Sequence, residues 1–361
     1  MNRKVKFLIS WILIITLFAT MMFSASAVQA PPDTTKIVSA LQNIEQIKQD
    51  IGLADVDFEE LSVAEPIYTY VYTADGFVQN NILYPLKENG ILVAWAVPLE
   101  DGQTTDFQIT TLLVEEVNAV LTENMAFALV YDYANCYLYD GSTYHLLKQN
   151  SLVVEGRSVL QPGADSLPDA YLQLTDINAS TDLAYTSPVM TRVQTYYSCP
   201  VSFVSQLTVP ESQICWAASI ACIVNYKKET SLSAVRVAQD YFGTSVYDDF
   251  NQGLAPGKEE SILRWDYFLW YTNKNQVPSD GVISHNIRED FPIFASFRVS
   301  NGGGHAVVIC GIDTIKGYIK IMDPEIGFCS ATVSSSGYQY YRSDVGLTLT
   351  LIQATCRYWS T

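Results

Sequence analysis

Gln213-Ile214-Cys215-Trp216-Ala217-Ala218-Ser219, continued by an apolar run to Lys228, is the stretch on which the reading of this chain turns. No proline or glycine interrupts it, so it predicts a buried helix over Cys215 to Lys228. A turn-like run, Val209-Pro210-Glu211-Ser212, comes just before. Cys215 therefore heads the helix. A thiol there faces the positive end of the helix dipole and unpaired backbone N–H groups. Both favour the thiolate, which is the nucleophilic form. The same amides can hold an oxyanion. A buried structural cysteine is the other reading, and it is the commoner fate of a free thiol.

A nucleophilic cysteine needs a base, and the chain offers only three histidines, at 145, 285 and 305. His305 lies in Gly302-Gly303-Gly304-His305-Ala306-Val307-Val308-Ile309-Cys310-Gly311, where a mobile triple-glycine loop runs into an apolar strand. That places an imidazole at the rim of a sheet. His145 lies in the N-terminal region and His285 in the polar run Ser284-His285-Asn286, before a helix or loop. Asp323, in Ile321-Met322-Asp323-Pro324-Glu325, ends the strand after His305, across a turn at Lys316-Gly317. Adjacent antiparallel strands can bring that carboxylate beside the imidazole, fixing its tautomer. A plain Asp-Pro turn is the alternative. Gln213 can donate its amide to an oxyanion, with Gln206 as a rival for that place.

With these residues in order, the chain resembles the papain-like cysteine peptidases. The likeness rests on Cys215-Trp216-Ala217-Ala218-Ser219, Gly304-His305-Ala306-Val307-Val308 and Met322-Asp323-Pro324, and covers about 195–361. Within that superfamily it is similar to the secreted bacterial branch, the staphopain and streptopain type, and to the bacteriocin-leader peptidases. The resemblance implies a helical half carrying the cysteine and an antiparallel sheet half carrying the histidine and its partner. It implies Cys215 as nucleophile, His305 as general base and acid, and Asp323 as the orienting residue where many relatives have Asn. Gln213 is the weakest correspondence, because the family's glutamine lies about six residues before the cysteine, where this chain has Val209. The implied activity is a cysteine endopeptidase working through an acyl-enzyme, without metal or cofactor, on protein or peptide substrates. A transglutaminase or a cell-wall peptide hydrolase on the same catalytic plan, and a non-catalytic secreted binding or adhesion protein, are the alternatives.

Ahead of this region the texture changes. Ile37, Leu41, Ile44, Ile47 and Ile51 recur at helical spacing up to Gly52. Apolar runs then alternate with Asp75-Gly76, Asn89-Gly90, Asp101-Gly102 and Asp140-Gly141, which read as hairpin turns. Strands are expected at Ile67 to Tyr72, Ile91 to Ala96, Phe127 to Tyr131 and Cys136 to Tyr139, while Leu112 to Leu121 fits a helix or a strand. Residues 31–150 thus read as one helix and a meandering antiparallel sheet, the main part of a domain over 31–190. That domain is taken as a pro-domain acting as intramolecular inhibitor, or as a β-rich accessory domain that stays attached. Residues 160–190 are polar and broken by Pro and Gly. The boundary falls near 185–198, where activation would cut, with 191–361 as the peptidase domain. After Cys215 to Lys228, helices are expected at Ser233 to Tyr241 and Glu259 to Trp270. Strands follow at Ile293 to Val299, Ala306 to Ile312, Tyr318 to Met322 and Leu347 to Ala354. The fold class is α+β.

Residues 1–30 read as a secretory signal peptide. Arg3, Lys4 and Lys6 precede the 17-residue apolar run from Phe7 to Phe23, and Ser24-Ala25-Ser26-Ala27 supplies small residues for cleavage. The product is then extracellular, or held at the membrane if the signal is retained. The formal charge is −17, and removing the three basic groups of the signal leaves −20. A surface so acidic is repelled by nucleic acid, which excludes that class of partner. Seven cysteines are too many to ignore in an exported chain, and the odd number leaves at least one thiol outside any disulfide. Cys329 and Cys356 are a possible pair. The absence of CxxC and the scarcity of His argue against a zinc site.

Overall fold

The computed structural model describes residues 33–73, 76–100, 105–122, 125–131, 135–149, 180–186, 196–206, 213–243, 253–300, 302–334 and 336–360. The signal-peptide reading, the turns at Asp75 and Asp101, and most of the expected linker lie outside them. Residues 34–361 form one compact unit. Among the described residues, no helix is long and apolar enough to cross a membrane.

The fold is α+β, with two sheets. The first opens with helix α1 (Thr34–Ile44), whose buried Ile37, Leu41 and Ile44 make the expected apolar stripe. A single 3-10 turn over Glu45–Ile47 then replaces the α-helix expected as far as Ile51. The helical spacing persists in the burial of Ile47 and Ile51 because the chain keeps winding in turns, with the Ile51 N–H donating to Ile47 O at 3.2 Å. Nine strands follow: β1 (Leu61–Ala64), β2 (Ile67–Thr73), β3 (Gly76–Glu88), β4 (Ile91–Glu100), β5 (Thr105–Thr110), β6 (Ala128–Tyr131), β7 (Asn135–Tyr139), β8 (Tyr144–Gln149) and β9 (Ser180–Asp182). Helix α2 (Val114–Val120) decides the ambiguous stretch before β6. The order is β5-β4-β3-β2-β6-β7-β8, with β1 bonded to β3 and β9. Asn89 (φ 51°) and Gly90 (φ 83°) form the two-residue turn between β3 and β4, as their left-handed preference dictates. The sheet departs from the expected all-antiparallel meander at one place, where β2 and β6 run parallel. The chain between them passes through three strands and α2, long enough for a crossover.

The second sheet is accompanied by a set of helices that precede most of its strands: α3 (Cys215–Lys228), α4 (Ala234–Phe242), α5 (Lys258–Ser261) and α6 (Asp280–Arg288). Ser233 caps α4 by accepting the Arg236 N–H at 3.2 Å. The helix expected over Glu259 to Trp270 is cut short. It passes into a π turn over Ile262–Asp266 and stops where Phe268 adopts φ 55° and the Leu269 N–H turns back to Leu263 O at 2.7 Å. Its strands are β10 (Tyr196–Ser198), β11 (Thr272–Asn273), β12 (Ile293–Val299), β13 (Gly304–Asp313), β14 (Tyr318–Asp323), β15 (Gly327–Ser334), β16 (Gly337–Arg342) and β17 (Leu347–Cys356). They order as β10-β13-β12-β17-β16-β15-β14, and β14 also bonds β13, so six antiparallel strands close into a ring. Helix α3 lies against the ring through Ile220, Ile223 and their neighbours, in one core with Val307, Ile309 and Leu349. None of the seven cysteines forms a disulfide, and β16 separates the strands of Cys329 and Cys356.

The N-terminal sheet docks on the ring through residues 316–346. Lys320 Nζ meets Asp50 Oδ2 at 2.6 Å, the Tyr341 N–H donates to Gln108 Oε1 at 2.5 Å, and Tyr131 Oη donates to Ser343 O at 2.5 Å. Gly346 makes this approach possible. It has φ 67°, and a β-carbon there would stand 2.5 Å from the Tyr131 ring. Gly346→Ala is expected to cost about 3 kcal/mol through strained backbone and a forced shift of Tyr131. Thermal denaturation reads it as a lowered midpoint with activity per folded molecule retained.

Candidate active site

Cys215 is the first residue of α3, half-buried, and the preceding Ile214 offers no side-chain cap. The amides of the first turn are therefore not taken up by a capping side chain. The rest of the helix is anchored by Trp216, which packs edge-on against Tyr241 and Phe242 of α4 at 5.8 and 5.7 Å. The Ala306 N–H points at Cys215 Sγ at 3.5 Å, so the thiol lies against the start of β13.

His305 is the second residue of β13, just after Gly302 (φ 93°) and Gly303 (φ 98°), whose backbone only glycine adopts readily. Its ring is buried. Nε2 lies 2.8 Å from Asp323 Oδ1, while Nδ1 makes no hydrogen bond to any described residue. Asp323 ends β14, which pairs antiparallel with β13. Its Oδ1 also accepts the Glu325 N–H at 2.9 Å, and Oδ2 accepts from Tyr340 Oη at 2.8 Å. Arg342 Nη1 stands 3.6 Å from Oδ2.

Burial opposes charge on both partners of this pair, and their mutual attraction outweighs it. For His305, burial is the largest influence and lowers the pKa. The Asp323 carboxylate, with help from Cys215, reverses it and holds the imidazole well above 6.5. For Asp323, burial raises the pKa, but His305 and Arg342 bring it down to about 2. The pair therefore has two pH limits. The share of stability owed to Asp323 is present above the ordinary carboxylate range and is lost as the pH falls toward about 2. That owed to His305 is complete below pH 6.5 and is lost as the pH rises through the raised value. The difference in melting temperature between wild type and His305→Gln is expected to shrink on going from about pH 6 to 10.

The structure brings Cys215, His305 and Asp323 together. Gln213 is half-buried, and its Oε1 lies toward Gly253, 3.3 Å from where a β-carbon there would stand. Gln206 is buried, and its N–H donates to Pro324 O at 2.9 Å, directly after Asp323. His285 lies inside α6, not before it, and tilts against Tyr358 at 5.0 Å. His145 pairs with Asp140 at 2.8 Å. Donor atoms of His305, Asp323 and Glu325 lie within 4.8 Å of one another, a spacing that suits a metal ion. Those donors are already spent on each other and on Arg342, which binds Glu325 Oε2 at 2.8 Å.

Sequence reasoning missed the surroundings of Asp323. Arg342 is fully buried among three carboxylates: Asp323, Glu325 and Asp344, the last bonded by Nε at 2.6 Å and Nη2 at 2.5 Å. Asp344 in turn holds Lys148 of the N-terminal sheet at 2.9 Å. The signal was present in Tyr340-Tyr341-Arg342-Ser343-Asp344, charges set into a strand of aromatics, but only the fold shows which carboxylates they meet.

Residues 197–340 match the family model described as Papain-like cysteine protease AvrRpt2. The match supports a papain-like cysteine peptidase family, and not the staphopain and streptopain branch expected from the sequence. No curated protein matches the chain.

Proposed function

We propose that this chain is a cysteine endopeptidase that cleaves peptide bonds through Cys215, His305 and Asp323. The observation that carries the reading is the division of labour on one imidazole. Asp323 occupies Nε2, which leaves Nδ1 buried, unbonded and beside the strand start that touches Cys215 Sγ. Cysteine acyl transfer asks for that arrangement. The Cys215 thiolate attacks the substrate carbonyl carbon, and the oxyanion is met by amides at the head of α3. The imidazolium gives its Nδ1 proton to the leaving amine. Water then attacks the thioester, returning a proton to Nδ1 and freeing the sulfur. Gln206 and Gln213 are the candidates for a side-chain donor that joins the amides at the head of α3.

Secretion rests on the N-terminal run described above, and the zymogen reading on the need to restrain such a thiolate in its producer. The test is a thiol-reactive activity probe together with denatured casein. Labelling at Cys215 and casein cleavage are expected. A folded protein that takes no label and leaves casein intact ends the peptidase reading in favour of a binding role. The N-terminus of the secreted form, read by sequencing, decides whether residues 31–190 are removed; a start near 185–198 is the expectation for a zymogen.

A further inference from the structure

We propose that Lys148, in the N-terminal sheet, is a positioning residue for the catalytic centre: it holds Asp344, which shares Arg342 with Asp323, so the charge around His305 is set partly from the other half of the chain. The inference rests on the peptidase reading for its meaning, but its geometry stands apart from it.

The argument is one of charge balance inside a buried cluster. Asp323, Glu325 and Asp344 are three carboxylates around one guanidinium. The side chains of Asp323, Asp344 and Arg342 have no exposure at all, and that of Lys148 keeps 27%. The three fully buried charges are screened little by water or salt. With His305 as imidazolium, three cations face three anions. Without Lys148 Asp344 loses a cation, and more of its compensation falls on Arg342, the same group that faces Asp323 Oδ2. The other groups facing the cluster are Cys215 at His305, Tyr340 and Cys329 at Asp323, and Tyr131 and Tyr341 at Asp344. None of these is a cation, so none replaces the lysine. Removing the lysine makes the potential at His305 more negative and strengthens its hold on a proton. A lysine that merely joins the two sheets would leave that hold unchanged.

The experiment is a titration of ring-15N histidine in the full chain by NMR. Only three histidines contribute, and His285 in α6 serves as an internal reference. In Lys148→Met the His305 midpoint is expected to rise by roughly half a pH unit, less than the bare Coulomb shift at an effective dielectric constant of about 20, because the Lys148 side chain keeps 27% exposure and is screened by water. Lys148→Arg keeps the charge and is expected to overlay wild type. The double variant Lys148→Met with Asp344→Asn removes one charge of each sign and is expected to return the midpoint to the wild-type value. Superimposed curves for wild type and Lys148→Met, or a double variant as displaced as the single, overturn the proposal. Casein cleavage is followed in parallel. A wild type that titrates as described yet never cuts casein removes the peptidase reading and leaves the charge relay standing. Coincident His305 curves remove the relay whatever casein does.

Discussion

Cys215→Ala is expected to abolish casein cleavage, by at least about 10⁴-fold in kcat/KM, while leaving the melting temperature within a few degrees of wild type. The size follows from chemistry: alanine offers no group to form the acyl-enzyme, and His305 alone cannot supply one. The lack of a stability effect follows from position. Cys215 is only half-buried at the end of a helix whose interior, from Trp216 to Val224, carries the packing. His305→Ala is expected to lose a similar factor, because nucleophile and base act as a unit, and combining the two changes should cost little more than either. Residual cleavage by Cys215→Ala near the wild-type rate would show that another group attacks, and the assignment would fall.

The second large effect concerns folding. Arg342→Met removes the guanidinium from a site with no exposure and leaves Asp323, Glu325 and Asp344 facing one another. Breaking a buried charge network from one side costs about 3–5 kcal/mol, since the remaining charges are neither solvated nor paired. Urea denaturation with an unchanged slope should read it as a lower midpoint. The loss should ease as the pH falls below about 4, where the stranded carboxylates take up protons. A variant as stable as wild type at neutral pH would mean that the cluster is wetter than its burial indicates.

The C-terminal half was the more legible. Cys215 to Lys228 and the strand Ile293 to Val299 are written as mainly apolar stretches without proline or glycine, and the structure places both where the pattern does. The turn at Lys316-Gly317 joins β13 to β14 directly, which made the approach of Asp323 to His305 readable from two neighbouring strands. β15 and β16 escaped notice because residues 327–342 mix Ser, Gly and Tyr without a clear alternation. The π turn at Ile262–Asp266 escaped because Ile262, Leu263 and Trp265 carry the spacing of an ordinary helix, and only the left-handed Phe268 ends it. Gln213 drew attention by its nearness to Cys215 in sequence. Spacing alone says nothing about the direction of its side chain. The Lys148–Asp344–Arg342 chain joins residues almost two hundred positions apart, which no local pattern reports.

The ring of six strands has a consequence for survival. Peptide-cutting clefts take their victims as extended backbone, and a strand with an unbonded margin is the easiest to peel away. β12 to β17 each lend both margins to a neighbour, so a second copy finds little there to grasp. Among the described residues, the N-terminal sheet ends instead at β5 and β8, which bond only β4 and β7. Self-digestion of such a molecule would begin there and leave the barrel for last.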